Sequence, residues 1–169
     1  MEEKYSKNYF RKDPKTSAQE ILAHKHADFD PRFVDNSGLS SYLQRLYDEV
    51  EIYDNNVTIL TNQFLSPIAT TAPTFYRFYI TDTVTVGNEK LVELSFFPRN
   101  KSNLLFEGKL HVTMDGHYAV KYATMTVNKE INLNFVRGLN IELFFSKDNQ
   151  EKYYLTKSHL DIEFSLSEK

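Results

Sequence analysis

His24-x-His26, with Glu20 four residues ahead of His24, is the spacing in this chain nearest to a metal site. On a helix Glu20 and His24 share a face while His26 points elsewhere. The other histidines, His111, His117 and His159, fall in separate strand-like segments. A metal site needs three converging ligands, so the pair reads as a solvated helix end, and neither a metal nor a cofactor is expected. Carboxylates for glycoside chemistry could be drawn from Glu93, Glu107, Asp115 and Glu142. The three glutamates alternate with apolar neighbours, as on the solvent face of a strand, and Asp115 is half of an Asp115-Gly116 turn. The absence of cysteine removes disulfides, thiol catalysis and cysteine-type zinc sites together. There is no G-x-S-x-G nucleophile elbow, no P-loop and no G-x-G-x-x-G, and 5 singly scattered glycines cannot cradle a phosphate. No catalytic residue is expected. A hydrolase would return as a reading if Glu93, Glu107 or Glu142 lined a cleft.

The aromatic residues carry more information. Phe75, Tyr76, Phe78, Tyr79, Phe96, Phe97 and Phe106 cluster in three consecutive strand-like segments. Aromatics on both sides of the Thr74–Thr81 strand imply that neither face is fully wet. One reading makes them core beneath a packed helix. The other makes them the lining of an apolar groove on the concave side of an unclosed sheet, able to hold an acyl chain or a partner strand. The expected ligand-binding set is Phe64, Phe75, Tyr76, Phe78, Tyr79, Phe96 and Phe106, with the Phe64–Pro73 loop as a rim.

Strands must position these side chains. In the segment Gly108–Val120, Gly108, Leu110, Val112 and Met114 share one strand face, and Glu107, Lys109, His111 and Thr113 share the other. Asp115-Gly116 then turns the chain into Tyr118 and Val120. The same alternation places strands at Val57–Thr61, Thr74–Thr85, Lys90–Phe97, Leu104–Met114, His117–Val127, Asn134–Phe145, Lys152–Thr156 and Leu160–Leu166. Short turns such as Gly87-Asn88 join neighbours into a meander. Residues 1–38 read instead as a polar segment with a short helix. A Ser17–Glu20 capping box opens it, and it runs through Ile21 and Leu22 to Lys25. A second helix is expected from Ser40 or Ser41 to Ile52, its stripe of Leu39, Leu43, Leu46, Tyr47 and Val50 packing on the sheet. Its polar face has no basic excess, which argues against membrane attachment. The expected fold is mainly β with some helix (α+β). Residues 39–169 form a curved antiparallel sheet or half-barrel of about eight strands, and one or two N-terminal helices cover a face or mouth.

A chain of 169 residues suits one core without staples. The 13 phenylalanines and 11 tyrosines favour strands over helices. The net charge is −3, and no Lys/Arg stripe interleaves with the aromatics, so a nucleic-acid partner is not expected. No stretch reaches the roughly 18 apolar residues of a membrane helix. Met1–Lys15 is polar and Lys-rich, without the apolar run of a secretory signal.

Several linked motifs resemble one family. They are Ile52-Tyr-Asp-Asn-Asn-Val-Thr-Ile-Leu, Gln63-Phe-Leu-Ser-Pro-Ile and Pro73-Thr-Phe-Tyr-Arg-Phe-Tyr-Ile-Thr-Asp-Thr-Val, then Leu94-Ser-Phe-Phe-Pro-Arg-Asn, Phe106-Glu-Gly-Lys-Leu-His-Val, Asp115-Gly-His-Tyr-Ala-Val-Lys and Ile131-Asn-Leu-Asn-Phe-Val. Over residues 40–166 the chain is similar to the middle region of large uncharacterised outer-membrane proteins of Gram-negative bacteria. In these proteins that region sits between a carboxypeptidase-regulatory-like β-sandwich and a C-terminal transmembrane β-barrel. The resemblance implies a domain of a longer protein on the periplasmic side of the outer membrane, with neighbouring domains as partners; the apolar-groove reading adds a lipid or peptide as a further one. It implies no enzymatic activity and carries no catalytic residue over. The strand plan is also similar to the lipoprotein-carrier half-barrels of the outer-membrane sorting pathway, a likeness of topology alone. The expected function is a non-enzymatic domain that binds a hydrophobic ligand or partner chain on its concave face. The alternative is a spacer coupling neighbouring domains, with no ligand of its own.

Overall fold

A computed structural model describes residues 2–11, 16–26, 50–128, 131, 133 and 136–164. The chain divides into two compact units, Met1–Gln44 and Arg45–Lys169.

In the first unit, β1 (Glu2–Arg11) and β2 (Thr16–His26) form an antiparallel hairpin. Its register runs from Arg11↔Thr16 to Glu2↔His26, with an irregularity at Tyr5/Ser6. The helix expected from Ser17 to Lys25 is therefore a strand. The Ser17–Glu20 box satisfies the local rule for a helix start, but a ladder along the whole of β1 supplies more backbone hydrogen bonds than a two-turn helix. Glu20 does not fold back to cap; its carboxylate accepts a hydrogen bond from the Tyr9 hydroxyl at 3.1 Å. The second expected helix lies outside the described residues except for Val50–Ile52, which are not helical.

The second unit opens with a short hairpin, β3 (Asn56–Ile59) and β4 (Asn62–Leu65), then one helical turn, α1 (Ala72–Phe75). Six strands follow: β5 (Tyr76–Val86), β6 (Glu89–Pro98), β7 (Phe106–Thr113), β8 (Val120–Val127), β9 (Val136–Lys147) and β10 (Tyr153–Phe164). They lie in chain order and all pair antiparallel, so the sheet is a meander. It is open: β5 and β10 do not pair with each other. The two separate strands expected at Lys152–Thr156 and Leu160–Leu166 are one strand with a bulge at Thr156.

Period-two alternation gives the sheet two distinct faces. On one, the register aligns Leu94, Leu110, Ala123 and Leu143, and beside them Phe96, Gly108, Met125, Ile141 and Leu160. Residues 50–76 cover this face. Val50, Ile52, Val57, Ile59, Leu60, Phe64, Ala69 and Ala72 are all buried. Phe64 stacks on Phe106 at 4.7 Å between ring centres. The Tyr76 hydroxyl donates to the Leu65 carbonyl at 2.6 Å and accepts the Phe106 N–H at 3.2 Å, sewing β4 to the start of β7. The Tyr53 hydroxyl accepts the Val120 N–H at 3.1 Å, and its ring meets Phe145 edge-on at 5.7 Å. The Ser66 hydroxyl ties the covering segment to itself by donating to the Ile52 carbonyl.

β7 and β8 approach very closely at Gly108. A Cβ there would lie 1.9 Å from the Thr124 carbonyl oxygen, a backbone atom that cannot swing aside.

Candidate functional site

The residues singled out for an apolar groove separate into two groups. Phe64, Tyr76, Phe96 and Phe106 are 0% exposed, inside the core that residues 50–76 close. Phe78 is half-buried, its ring centre 6.1 Å from that of Tyr76 and 6.3 Å from that of Phe96. Phe75 and Tyr79 are exposed. The Tyr79 ring centre lies 6.4 Å from that of Phe97, which is also exposed, and Ile80, paired with Leu94 on the opposite face, is 73% exposed. The structure thus places four of the seven in the core and leaves Phe75, Tyr79 and Phe97 as an aromatic strip near the β5 edge.

The opposite sheet face carries the polar chemistry. A cross-strand ladder of Thr81, Glu93, His111, Tyr122, Phe144 and Lys157 takes one residue from each of the six strands. Glu93 sits at its polar end with a side chain only 13% exposed. Lys109 Nζ lies 2.9 Å from Glu93 Oε1, His111 Nε2 lies 3.3 Å from Oε2, and the Thr81 hydroxyl donates to Oε1 at 2.8 Å. The Lys109 and Thr81 hydrogen bonds hold this carboxyl below its ordinary range, against the opposing effect of burial. Further along, ring centres are 5.4 Å apart for His111–Tyr122 and 4.6 Å for Tyr122–Phe144, and the Lys157 ammonium stands 5.4 Å from the Phe144 ring. Such stacked pairs contribute roughly 0.5–1.5 kcal/mol each beyond their burial.

His111 is oriented by Glu93 at Nε2, whereas its Nδ1 is enclosed and has no hydrogen-bond partner among the described residues. Because Nδ1 is walled off, a substrate has no path to it.

Beside the ladder, an open groove of about 490 Å³ crosses β7 to β10. Glu107, Thr124, Thr126, Asn140, Glu142, His159 and Asp161 line it. Glu107 and Glu142 therefore line an open groove, which meets the condition under which a hydrolase reading returns, and the Tyr122 hydroxyl donates to Glu142 at 3.2 Å. Among the described residues no three His, Asp or Glu side chains form a set able to hold a metal ion.

At one end of the sheet, Asp115 does more than turn the chain. Its carboxylate accepts hydrogen bonds from the Thr113 hydroxyl at 2.7 Å, the His117 N–H at 3.1 Å and the Tyr153 hydroxyl at 3.2 Å, and pairs with Lys147 at 3.5 Å. These partners, the Thr113 hydroxyl foremost, hold its carboxyl well below the usual carboxylate range. Lys147 also meets Glu151 at 3.1 Å, and Glu151 meets His117 at 3.6 Å, so the tips of the β7–β8 and β9–β10 hairpins are cross-braced.

The ladder escaped the sequence reading because it exists only once the register is set. Glu93 and His111 are 18 positions apart in the chain and become neighbours through the Glu93↔His111 pairing. That each sits one residue out of phase with an apolar neighbour, Leu94 or Leu110, was the one signal available beforehand.

Residues 1–168 match the family of unknown function DUF5686, and the chain belongs to that family. No curated protein and no solved structure matches the chain. No helix among the described residues is long and apolar enough to cross a membrane.

Proposed function

We propose that this member of the DUF5686 family is a non-enzymatic structural domain that couples neighbouring domains of a longer protein on the periplasmic side of the outer membrane. The observation that carries this reading is the closure of the apolar sheet face by residues 50–76, with Phe64, Tyr76, Phe96 and Phe106 sealed beneath them. A ligand on that face would have to displace a covering held by the Phe64–Phe106 stack and the Tyr76 hydroxyl. The aromatic strip of Phe75, Tyr79 and Phe97 suits contact with another polypeptide, since large amphipathic rings are enriched at protein interfaces. The compartment in this reading rests on the resemblance of the sequence motifs to those of outer-membrane proteins. Both oxygens of Glu93 are engaged and His111 Nδ1 is enclosed, so that pair supports a structural role rather than proton transfer.

A second reading, capture of a hydrophobic ligand, draws on the same exposed strip. Displacement of a fluorescent fatty acid separates the two. The coupling domain gives no saturable signal, whereas stoichiometric, saturable binding that Tyr79→Ala and Phe97→Ala weaken would overturn it. In the full-length parent protein, a photo-crosslinker at position 79 or 80 is expected to capture another segment of the same polypeptide.

A further inference from the structure

Strand β10 pairs with β9 on one side and, among the described residues, with nothing on the other. Between its irregularities at Leu155/Lys157 and Glu163/Phe164 it runs unbroken from Lys157 to Glu163. Lys157, His159, Asp161 and Glu163 alternate on one face of this run and are all exposed. Ser158, Leu160 and Ile162 alternate on the other, with Leu160 and Ile162 half-buried. The face therefore reads cation, imidazole, carboxylate, carboxylate along the strand. Turned end for end about Leu160, the same strand presents the complementary order.

We propose that β10 is a homodimerisation edge, pairing antiparallel with β10 of a second copy about a two-fold axis at Leu160. In that register Lys157 stands opposite Glu163 and His159 opposite Asp161, each contact made twice by symmetry. Ser158 stands opposite Ile162, and Leu160 meets its own copy on the apolar face. Opposite charges directly across an antiparallel pair stabilise it, and like charges destabilise it.

The register is selective. Centring on Asp161 instead brings the two Asp161 carboxylates together, and a slip of one residue sets Lys157 opposite Ile162 and mixes the faces. Among the described residues neither Asp161 nor Glu163 has an ion-pair partner within the chain, and Lys157 rests over the Phe144 ring. The other edge is built differently. β5 bulges at Thr81, and the Asp82 carboxylate takes the Thr83 N–H at 2.7 Å, features that blunt an edge against pairing.

Sedimentation velocity of the 169-residue chain over a concentration series, at low and high sodium chloride, tests this. The dimer fraction is expected to rise with concentration and to fall as salt screens the pairs. Lys157→Glu alone and Glu163→Lys alone should each give monomer, and the double charge swap Lys157→Glu/Glu163→Lys should restore the dimer. Far-UV circular dichroism confirms that each variant keeps its strands, since all four charged positions are exposed. A wild-type chain that stays monomeric at every concentration overturns the proposal, as does a dimer indifferent to both single substitutions. Failure of the double swap to restore association overturns the register. None of these outcomes bears on the coupling role, which rests on the covered face.

Discussion

The Asp115 carboxylate accepts a hydrogen bond from the Tyr153 hydroxyl at 3.2 Å, which fastens the turn closing β7–β8 to the first residue of β10. The turn itself is tight, with Gly116 at φ 91 and Tyr118 at φ 51. Glycine takes a positive value freely, but Tyr118 is held there only when its surroundings over-determine it. The Thr113 hydroxyl supplies part of that constraint by donating to Asp115 and accepting the Ala119 N–H at 3.0 Å.

Asp115 should make stability acid-sensitive. Its folded-state pKa is depressed, so the fold favours the ionised form. That contribution is fully present above the unfolded value near pH 4 and is lost as pH falls below it. Urea midpoints measured from neutral pH downward should drop more steeply for the wild type than for Asp115→Asn below about pH 4. Parallel curves would count against this role.

Phe64→Ala removes the ring that stacks on Phe106 in a fully buried site. Chemical denaturation should show a loss of about 3–5 kcal/mol. A double-mutant cycle with Phe106→Ala should return a coupling of roughly 0.5–1.5 kcal/mol, and independent, additive losses would mean that the two rings do not support one another.

Tyr76→Phe keeps the ring and deletes the hydroxyl that serves the Leu65 carbonyl and the Phe106 N–H. Two backbone groups lose their partner, at an expected cost of about 1–3 kcal/mol. Burial pushes the Tyr76 phenol up to about 12. In a spectrophotometric titration the absorbance difference between wild type and variant should therefore appear well above the ordinary tyrosine value near 10. A difference already present at that ordinary value would show a solvated hydroxyl.

Two glycines separate sterics from backbone strain. Gly108→Ala drives a Cβ into the Thr124 carbonyl and should cost at least about 3 kcal/mol, the upper end of overpacking. Gly87, at φ +61 in the β5–β6 turn, has nothing within 4 Å of an added Cβ, so Gly87→Ala should cost only the left-handed penalty of about 1–2 kcal/mol. Equal losses by thermal or urea unfolding would contradict the close approach of β7 and β8.

Strand alternation was legible wherever one face is buried. Leu139, Ile141, Leu143 and Phe145 are in phase in the sequence, and all four are buried in β9. The Asp115-Gly116 and Gly87-Asn88 turns likewise fixed two hairpins in advance. Three features were not legible, for different reasons. At Ser17–Lys25 a local capping signal competes with long-range pairing, and the pairing wins. Asn62–Leu65 is too short to announce itself, yet Phe64 within it is a keystone of the covering segment. The Thr81–Lys157 ladder depends on bulges at Thr81 and between His111 and Val112, which reset which side chains are neighbours. The aromatic clustering correctly marked where the large rings gather. Whether those rings line a groove or fill a core depended on residues 50–76, whose packing partners lie far along the chain.

Because the six sheet strands follow one another in chain order, each new strand can zip onto the one made just before it, with only a short loop to close. The covering segment obeys the opposite schedule. During synthesis Phe64 emerges well ahead of Phe106, the ring it must meet, and the rest of the floor beneath residues 50–76 arrives with β8 and β9. Until that floor has formed the polypeptide carries a greasy, unpaired stretch, so the slower the sheet completes, the longer residues 50–76 are open to association with other chains.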